Sequence, residues 1–223
     1  VSVPVDNNFI QERLWTFDVL RKYLYSITID NVHIGCIFRT SGFGVTPRHF
    51  MPHLKGGKNV SLISSTTNMN SILMTCWPEP ILPSDKELDM VLWPLYRNCA
   101  NWSEVSLMAP EINRSYECVF VTLDPKSGSP VSSHVIATMD SKGFLYYKFK
   151  GHIPGMCGGI LFLMNLEKPT VIGMHIEGDQ NSPQCKAAAI TKDFIKLVED
   201  SDSPLKQHMT KLRLGNSYGA GRL

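Results

Sequence analysis

The sequence predicts a mostly β chain built as two small barrels or sandwiches, with a helix at each end. Three observations predict it. Short apolar or alternating runs recur along most of the chain, each closed by a cluster of Gly, Pro, Asn, Ser or Lys. They fall into two batches, divided by the less regular stretch "NCANWSEVSLMAPEINRS" over 98–115. Helical spacing of apolar residues is confined to the two ends. Strand batches of this kind close on themselves or stack, because a single half-apolar sheet cannot bury its face alone.

The elements follow in order. Ile10, Leu14, Phe17, Leu20 and Leu24 recur at spacings of four, three, three and four, which predicts a helix over 7–24 capped by Asp6 or Asn7. The first batch holds "VHIGCIF", "FGVT", "VSLIS", "SILMTCW" and "DMVLWPL". The second holds "ECVFVTL", "HVIATM", "FLYYKF", "GILFLM" and "TVIGMHI". A last helix starts at Thr191 and carries Phe194, Ile195, Leu197 and Val198. The expected organisation is a helix over 1–24, a first β unit over 25–105, a second over 106–200, and a flexible basic tail over 201–223. That tail has no acid after Asp202 but carries Lys206, Lys211, Arg213 and Arg222.

Composition bounds the function. With 223 residues, 43% hydrophobic and 19% charged, the chain has the make-up of a globular protein with a substantial core. A net charge of +2 is too small to argue by itself for nucleic acid or membrane surfaces. No apolar run is long enough to span a membrane, and the N-terminus does not read as a signal peptide. The chain opens on Val1, which points to a fragment or a piece excised from something longer. Six cysteines are scattered without a C-x-x-C pair, so free thiols in a reducing compartment are expected. His and Cys show no zinc-ligand spacing, so neither a metal site nor a cofactor is expected.

One cysteine stands apart. In "GHIPGMCGGILF" Cys157 sits between two glycine-bearing turns. Glycines allow the tight backbone that aims N–H groups of Gly155, Met156 and Cys157 at one point, an oxyanion hole in which Gly155 and Cys157 are the expected donors. The G-x-C-G-G pentapeptide over 155–159 also fits an ordinary turn around a buried cysteine. A nucleophilic thiol needs a base, because the thiolate attacks. His49, leaving the strand of "FGVTPRHF", is placed for that role. Asp89 opens the apolar run "LDMVLWPL" and should need a partner there, with Asp85 and Glu87 as competitors. The order His, acid, nucleophile is that of chymotrypsin.

On these segments the chain resembles the picornain-type (3C-like), chymotrypsin-fold cysteine proteases of picornaviruses and related positive-strand RNA viruses, over about residues 7–199. "FGVTPRHF" resembles the segment of the catalytic histidine, "LDMVLWPL" that of the acid and "PGMCGG" that of the nucleophile. "VIGMHIEG" resembles the strand lining the pocket for the substrate's P1 residue, which makes His175 the specificity histidine, flanked by Gly173 and Gly178. "KAAAITKDFI" resembles the closing strand and helix. The resemblance implies two six-stranded antiparallel β-barrels with the active site between them, cleavage of a viral polyprotein after Gln, host proteins as further substrates, and action in the host cell cytoplasm. The chain departs from the family by a shorter stretch between "HVIATM" and "PGMCGG", and by His152, where relatives often carry a small hydroxyl residue that helps hold P1. It also lacks the family's basic RNA-binding motif between the barrels. Arg21, Lys22, Arg39, Arg48 and the tail could still offer a surface to viral RNA, which is the alternative function. His33 and His134 read as strand-face residues, His53 and His208 as exposed, and Cys36, Cys76, Cys118 and Cys185 as small core or edge residues.

Overall fold

Among the described residues, short apolar or alternating runs form thirteen strands in two sheets. The structure, a computed structural model, describes residues 19–55, 59–64, 71–74, 77–95, 104–164 and 168–202. The predicted N-terminal helix up to residue 18, the tail from 203, and Cys76, Cys99 and His208 lie outside the described residues.

The first sheet is antiparallel and contains β1 (Leu24–Ile29), β2 (Val32–Thr40), β3 (Phe43–Thr46), β4 (Val60–Ser64), β5 (Ser71–Met74) and β6 (Val91–Pro94). Its order is β5-β4-β1-β2-β3-β6. Helical geometry holds at residues 19–20 and tightens to a 3-10 turn at Arg21–Tyr23. Leu24 therefore belongs to β1, one residue earlier than the helical spacing predicts. The β1–β2 hairpin turns on Asp30 and Asn31, both at positive φ, a conformation these two residue types tolerate. The sheet curls around Ile27, Ile37, Leu62, Val91 and Trp93, with Phe50 and Leu54 from the loop after β3 closing one end. Trp93 is fully buried and its indole N–H donates to Thr46 Oγ1 at 2.7 Å, so the large ring costs no unsatisfied donor. Among the described residues the end strands β5 and β6 do not pair with each other.

The second sheet does close. Strands β8 (Ser115–Leu123), β9 (Pro130–Met139), β10 (Phe144–Lys148), β11 (Ile160–Leu163), β12 (Thr170–Gly178) and β13 (Gln184–Ala189) run in the order β11-β8-β9-β10-β13-β12, and β12 pairs back to β11. This is a six-stranded antiparallel barrel, to which β7 (Ser106–Leu107) adds in parallel beside β12. The barrel expected of the C-terminal half is present. The N-terminal half is a curled six-stranded sheet.

A third core joins the two. Leu24, Cys36, Phe38 and Met90 from the first half meet Val119, Ile160, Phe162 and Met174 from the second. The helix over 192–202 seals this core with Phe194 and Val198. Thr191 caps it, its Oγ1 accepting the Phe194 N–H at 3.0 Å. Burying a side chain such as Phe194 stabilises by roughly 1.5–3 kcal/mol, so this seam is what fixes one half against the other. Cys36, Cys118, Cys157 and Cys185 are free thiols. Among the described residues no helix is long and apolar enough to cross a membrane.

Candidate active site

The turn ahead of β11 carries Cys157, and two glycines shape it. Gly155 has φ 100° and Gly158 φ 89°, which other residues rarely adopt. A Cβ on Gly158 would also stand 2.1 Å from the Cys36 carbonyl oxygen, because the turn lies directly against β2. Hydrogen bonds lock it there. The Cys36 N–H donates to the Cys157 carbonyl at 2.9 Å, and the Gly158 N–H to that of His175 at 2.9 Å. Thr122 Oγ1 donates to the Met156 carbonyl at 2.8 Å.

His33 adds a contact that the sequence did not disclose. Its Nε2 lies 2.7 Å from the Gly155 carbonyl, and its Nδ1 lies 2.5 Å from Ser26 Oγ. A carbonyl can only accept, so Nε2 carries the proton and Nδ1 accepts from the serine hydroxyl. His33 does lie on strand β2, and from there it clamps the turn that carries Cys157. With the Gly155 carbonyl held on that side, the same turn leaves two N–H groups free. Among the described residues the N–H groups of Gly155 and Cys157 meet no protein acceptor, whereas that of Met156 donates to Ile153 at 3.3 Å. Of the three N–H groups expected to converge there, that of Met156 is therefore taken up within the turn.

His49 sits in the 3-10 turn Arg48–Phe50, immediately after β3 and Pro47. Its Nδ1 is 2.7 Å from Asp89 Oδ2, and its backbone N–H donates to Asp89 Oδ1 at 3.0 Å. Both carboxylate oxygens thus hold one residue. Neither competitor does this: Asp85 Oδ1 accepts the Glu87 N–H at 2.9 Å. Arg48 secures the acid's loop by donating to the carbonyls of Pro83, Asp85 and Lys86. The hydrogen bond from Asp89, followed by one with Cys157, raises the His49 pKa to about 9 against the opposing effect of burial. Burial pushes the Asp89 carboxyl up, but the hydrogen bond and charge of His49 outweigh it and the net direction is down. The Cys157 thiol also lies 3.3 Å from the Ile176 carbonyl.

On the other side of Cys157 lies His175, fully buried on β12 next to a register shift between His175 and Glu177. Bulges of this kind re-aim side chains beside functional sites. The His175 Nδ1 meets the Tyr147 hydroxyl, and its Nε2 lies 3.1 Å from His152 Nδ1. Burial, with smaller contributions from His152 and His49, lowers its pKa to about 3. Burial likewise lowers the pKa of His152 and raises that of Tyr147, so this chain of three rings is neutral. Gly178 and Gly173 do not leave space for a substrate. A Cβ on Gly178 would meet the His152 ring at 2.4 Å, and one on Gly173 would meet Leu145 Cδ1 at 2.7 Å. Their missing side chains admit the protein's own groups. Tyr147 escaped the sequence reading, although the alternation in "FLYYK" turns it inward.

No known family profile matches the sequence, and no curated sequence does. Solved structures do match. Catalytically inactive tobacco etch virus protease complexed with substrate superposes with a TM-score of 0.61 at 12% identity, covering 83% of this chain and 86% of that one. A Glu endopeptidase gives 0.59 at 12% identity over 82% and 92%. A scabies mite inactivated protease paralogue gives 0.60 at 12% identity over 82% and 95%. At this identity the likeness establishes the chymotrypsin-like fold. The last of these neighbours is named as inactivated, so the fold does not carry activity without the residues for it.

Proposed function

We propose that this chain is a cysteine endopeptidase that cleaves a viral polyprotein after Gln in the host cell cytoplasm. The observation that carries the proposal is His49, hydrogen-bonded to Asp89 and near enough to Cys157 for the two to interact where the two sheets meet, beside two backbone N–H groups without a partner among the described residues. The Cys157 proton passes to His49 as sulfur attacks the scissile carbonyl, or is already there in a thiolate–imidazolium pair. The N–H groups of Gly155 and Cys157 receive the oxyanion. His49 returns the proton to the leaving amine, and water then opens the acyl-enzyme with His49 as base. Asp89 holds the ring through Nδ1 and stabilises the imidazolium.

P1 is read by the His175–His152 pair. With both His175 nitrogens held by Tyr147 and His152, the outer nitrogen of His152 can offer an N–H to the glutamine carbonyl, while a glutamate would bring a charge that the neutral pair does not compensate. The RNA-binding alternative has less behind it. Arg39 is buried with its Nε on the Ser41 carbonyl, and the Arg48 guanidinium is occupied by three carbonyls. A peptide-library cleavage assay tests the proposal. The wild-type chain should cut, with Gln before the cleaved bond, and Cys157→Ala should not. Cutting by purified Cys157→Ala would remove the cysteine mechanism, and equal rates for Gln and Ala would remove the pocket.

A further inference from the structure

The topology gathers a second set of reactive side chains, of which His152 and His175 also form the proposed P1 pocket and Cys185 is new. His152 Nδ1, His175 Nε2 and Cys185 Sγ lie within 4.8 Å of one another, all buried, and they form the cluster of metal-capable groups among the described residues. They come from the loop before Cys157, from β12 and from β13. Their convergence has a cause in register. Gly178 pairs with Cys185 across β12 and β13, and its missing side chain lets the His152 ring lie down beside both. Sequence spacing gave no hint of this, because the three are contiguous only in the folded barrel.

Two imidazole nitrogens and a thiolate are the donors that zinc takes. On a tetrahedral ion with Zn–N near 2.0–2.1 Å, two nitrogens stand about 3.4 Å apart, and a sulfur stands about 3.6 Å from each. The nitrogens are already 3.1 Å apart. The sulfur needs to close by roughly an ångström at most. The Tyr147 hydroxyl holds the other nitrogen of His175, as outer partners of ligating histidines do. A cleft lined by Tyr146, Glu177, Gly178, Asp179, Gln184 and Lys186 borders Cys185, and its two carboxylates outnumber its one lysine. Glu177 shares its charge with Lys186 at 3.2 Å, so Asp179, whose charge also acts on His152, is the main attractor.

We propose that His152, His175 and Cys185 bind a divalent transition-metal ion, zinc before others, leaving a fourth coordination position toward the cleft. The ion takes the place of the hydrogen shared between the two ring nitrogens. Each ring keeps one proton, on its outer nitrogen, and the His175 Nδ1–H donates to the Tyr147 oxygen. Cys185 loses its thiol proton to solvent, so one proton leaves for each ion bound. The site does not depend on peptidase activity. Under the peptidase reading, the ion occupies the floor of the P1 pocket and competes with the substrate side chain.

Cobalt(II) titration tests this without reading cleavage. Wild type and Cys157→Ala should both develop the thiolate-to-cobalt absorption of a sulfur-bound ion. Cys185→Ser should lose that band, and His152→Ala should bind cobalt at least about tenfold more weakly, the scale that even outer partners of a ligand command. A band lost in Cys157→Ala would place the ion beside His49 and overturn the proposal. So would a band retained in Cys185→Ser, or no cobalt spectrum in wild type. His152 lies nearer the surface than Cys185, so it carries the test if Cys185→Ser does not fold; unchanged affinity in His152→Ala refutes the site.

Discussion

His49 and His175 flank the same cysteine and are tuned in opposite directions. His49 is 46% exposed and has a carboxylate on its Nδ1, and its pKa rises to about 9. His175 is fully buried with a hydroxyl on its Nδ1 and a second imidazole on its Nε2, and its pKa falls to about 3. The imidazole is the same in both. What differs is whether the hydrogen-bonded partner carries a negative charge and whether water can reach the ring. The first environment makes a residue that can hold a proton during a reaction. The second makes one that stays neutral with both nitrogens engaged, and so sets its partner His152 rather than holding a proton for a reaction.

Exchanging the two losses gives the widest separation. His49→Ala should lower kcat/KM for every peptide by a factor on the order of 10^4 or more, since the general base is gone. His175→Ala should keep measurable cleavage but lower the preference for Gln over Ala at P1 by about a hundredfold, the loss expected when a buried hydrogen-bonding partner is removed. Matched peptides measure both, and equal loss of rate without loss of selectivity in His175→Ala would erase the distinction.

The source of the His49 shift can be tested next. Asp89→Asn should reduce kcat by about a hundredfold, less than the roughly 10^4 of a serine triad because a thiol is the more acidic nucleophile. Asp85→Asn and Glu87→Gln should leave kcat within about twofold, as changes away from the reacting groups generally do. A larger effect at either would show that the wrong carboxylate has been identified.

The smallest effect is on stability, and its sign is fixed by the shifts. The His49 value lies above its ordinary 6.5, so its contribution is complete below about 6.5 and is lost as pH rises through about 9. The Asp89 value lies below its ordinary 3.8, so its contribution is present above that and is lost as pH falls. The half-exposed pair is screened and should be worth under about 1 kcal/mol. The difference in urea midpoint between wild type and Asp89→Asn should therefore be widest near pH 6 and close toward pH 9. A constant difference across that range would mean the pair does not titrate as a unit.

Residues that announce themselves locally were legible in the sequence. Alternation disclosed β4 and β10, glycines marked the turn at Cys157, and the apolar run after Asp89 put it forward with Asp85 and Glu87 as competitors, which the bond to His49 then separated. β1 was not disclosed, because all six of its residues are buried, polar Ser26 and Thr28 included, so no alternation remains to be read. The His33 clamp joins residues 122 positions apart, and the convergence of His152, His175 and Cys185 depends on strand register. Such contacts belong to the folded topology, and no local pattern encodes them. The closed barrel of the C-terminal half rests likewise on the β11–β12 pairing, which "GILFLM" and "TVIGMHI" do not reveal individually.

The clamp from β2 onto the Cys157 turn has a consequence in time. His33 and Cys36 leave the ribosome long before Gly155 and Cys157, yet they fix the carbonyls of those two residues. A half-made chain holds His49 and Asp89 without Cys157. A severed C-terminal half holds Cys157 on a turn that lacks the contacts from β2. Under the proposed peptidase function neither piece would be able to cut its surroundings, and the same contacts that shape the turn would delay its use until the chain is whole.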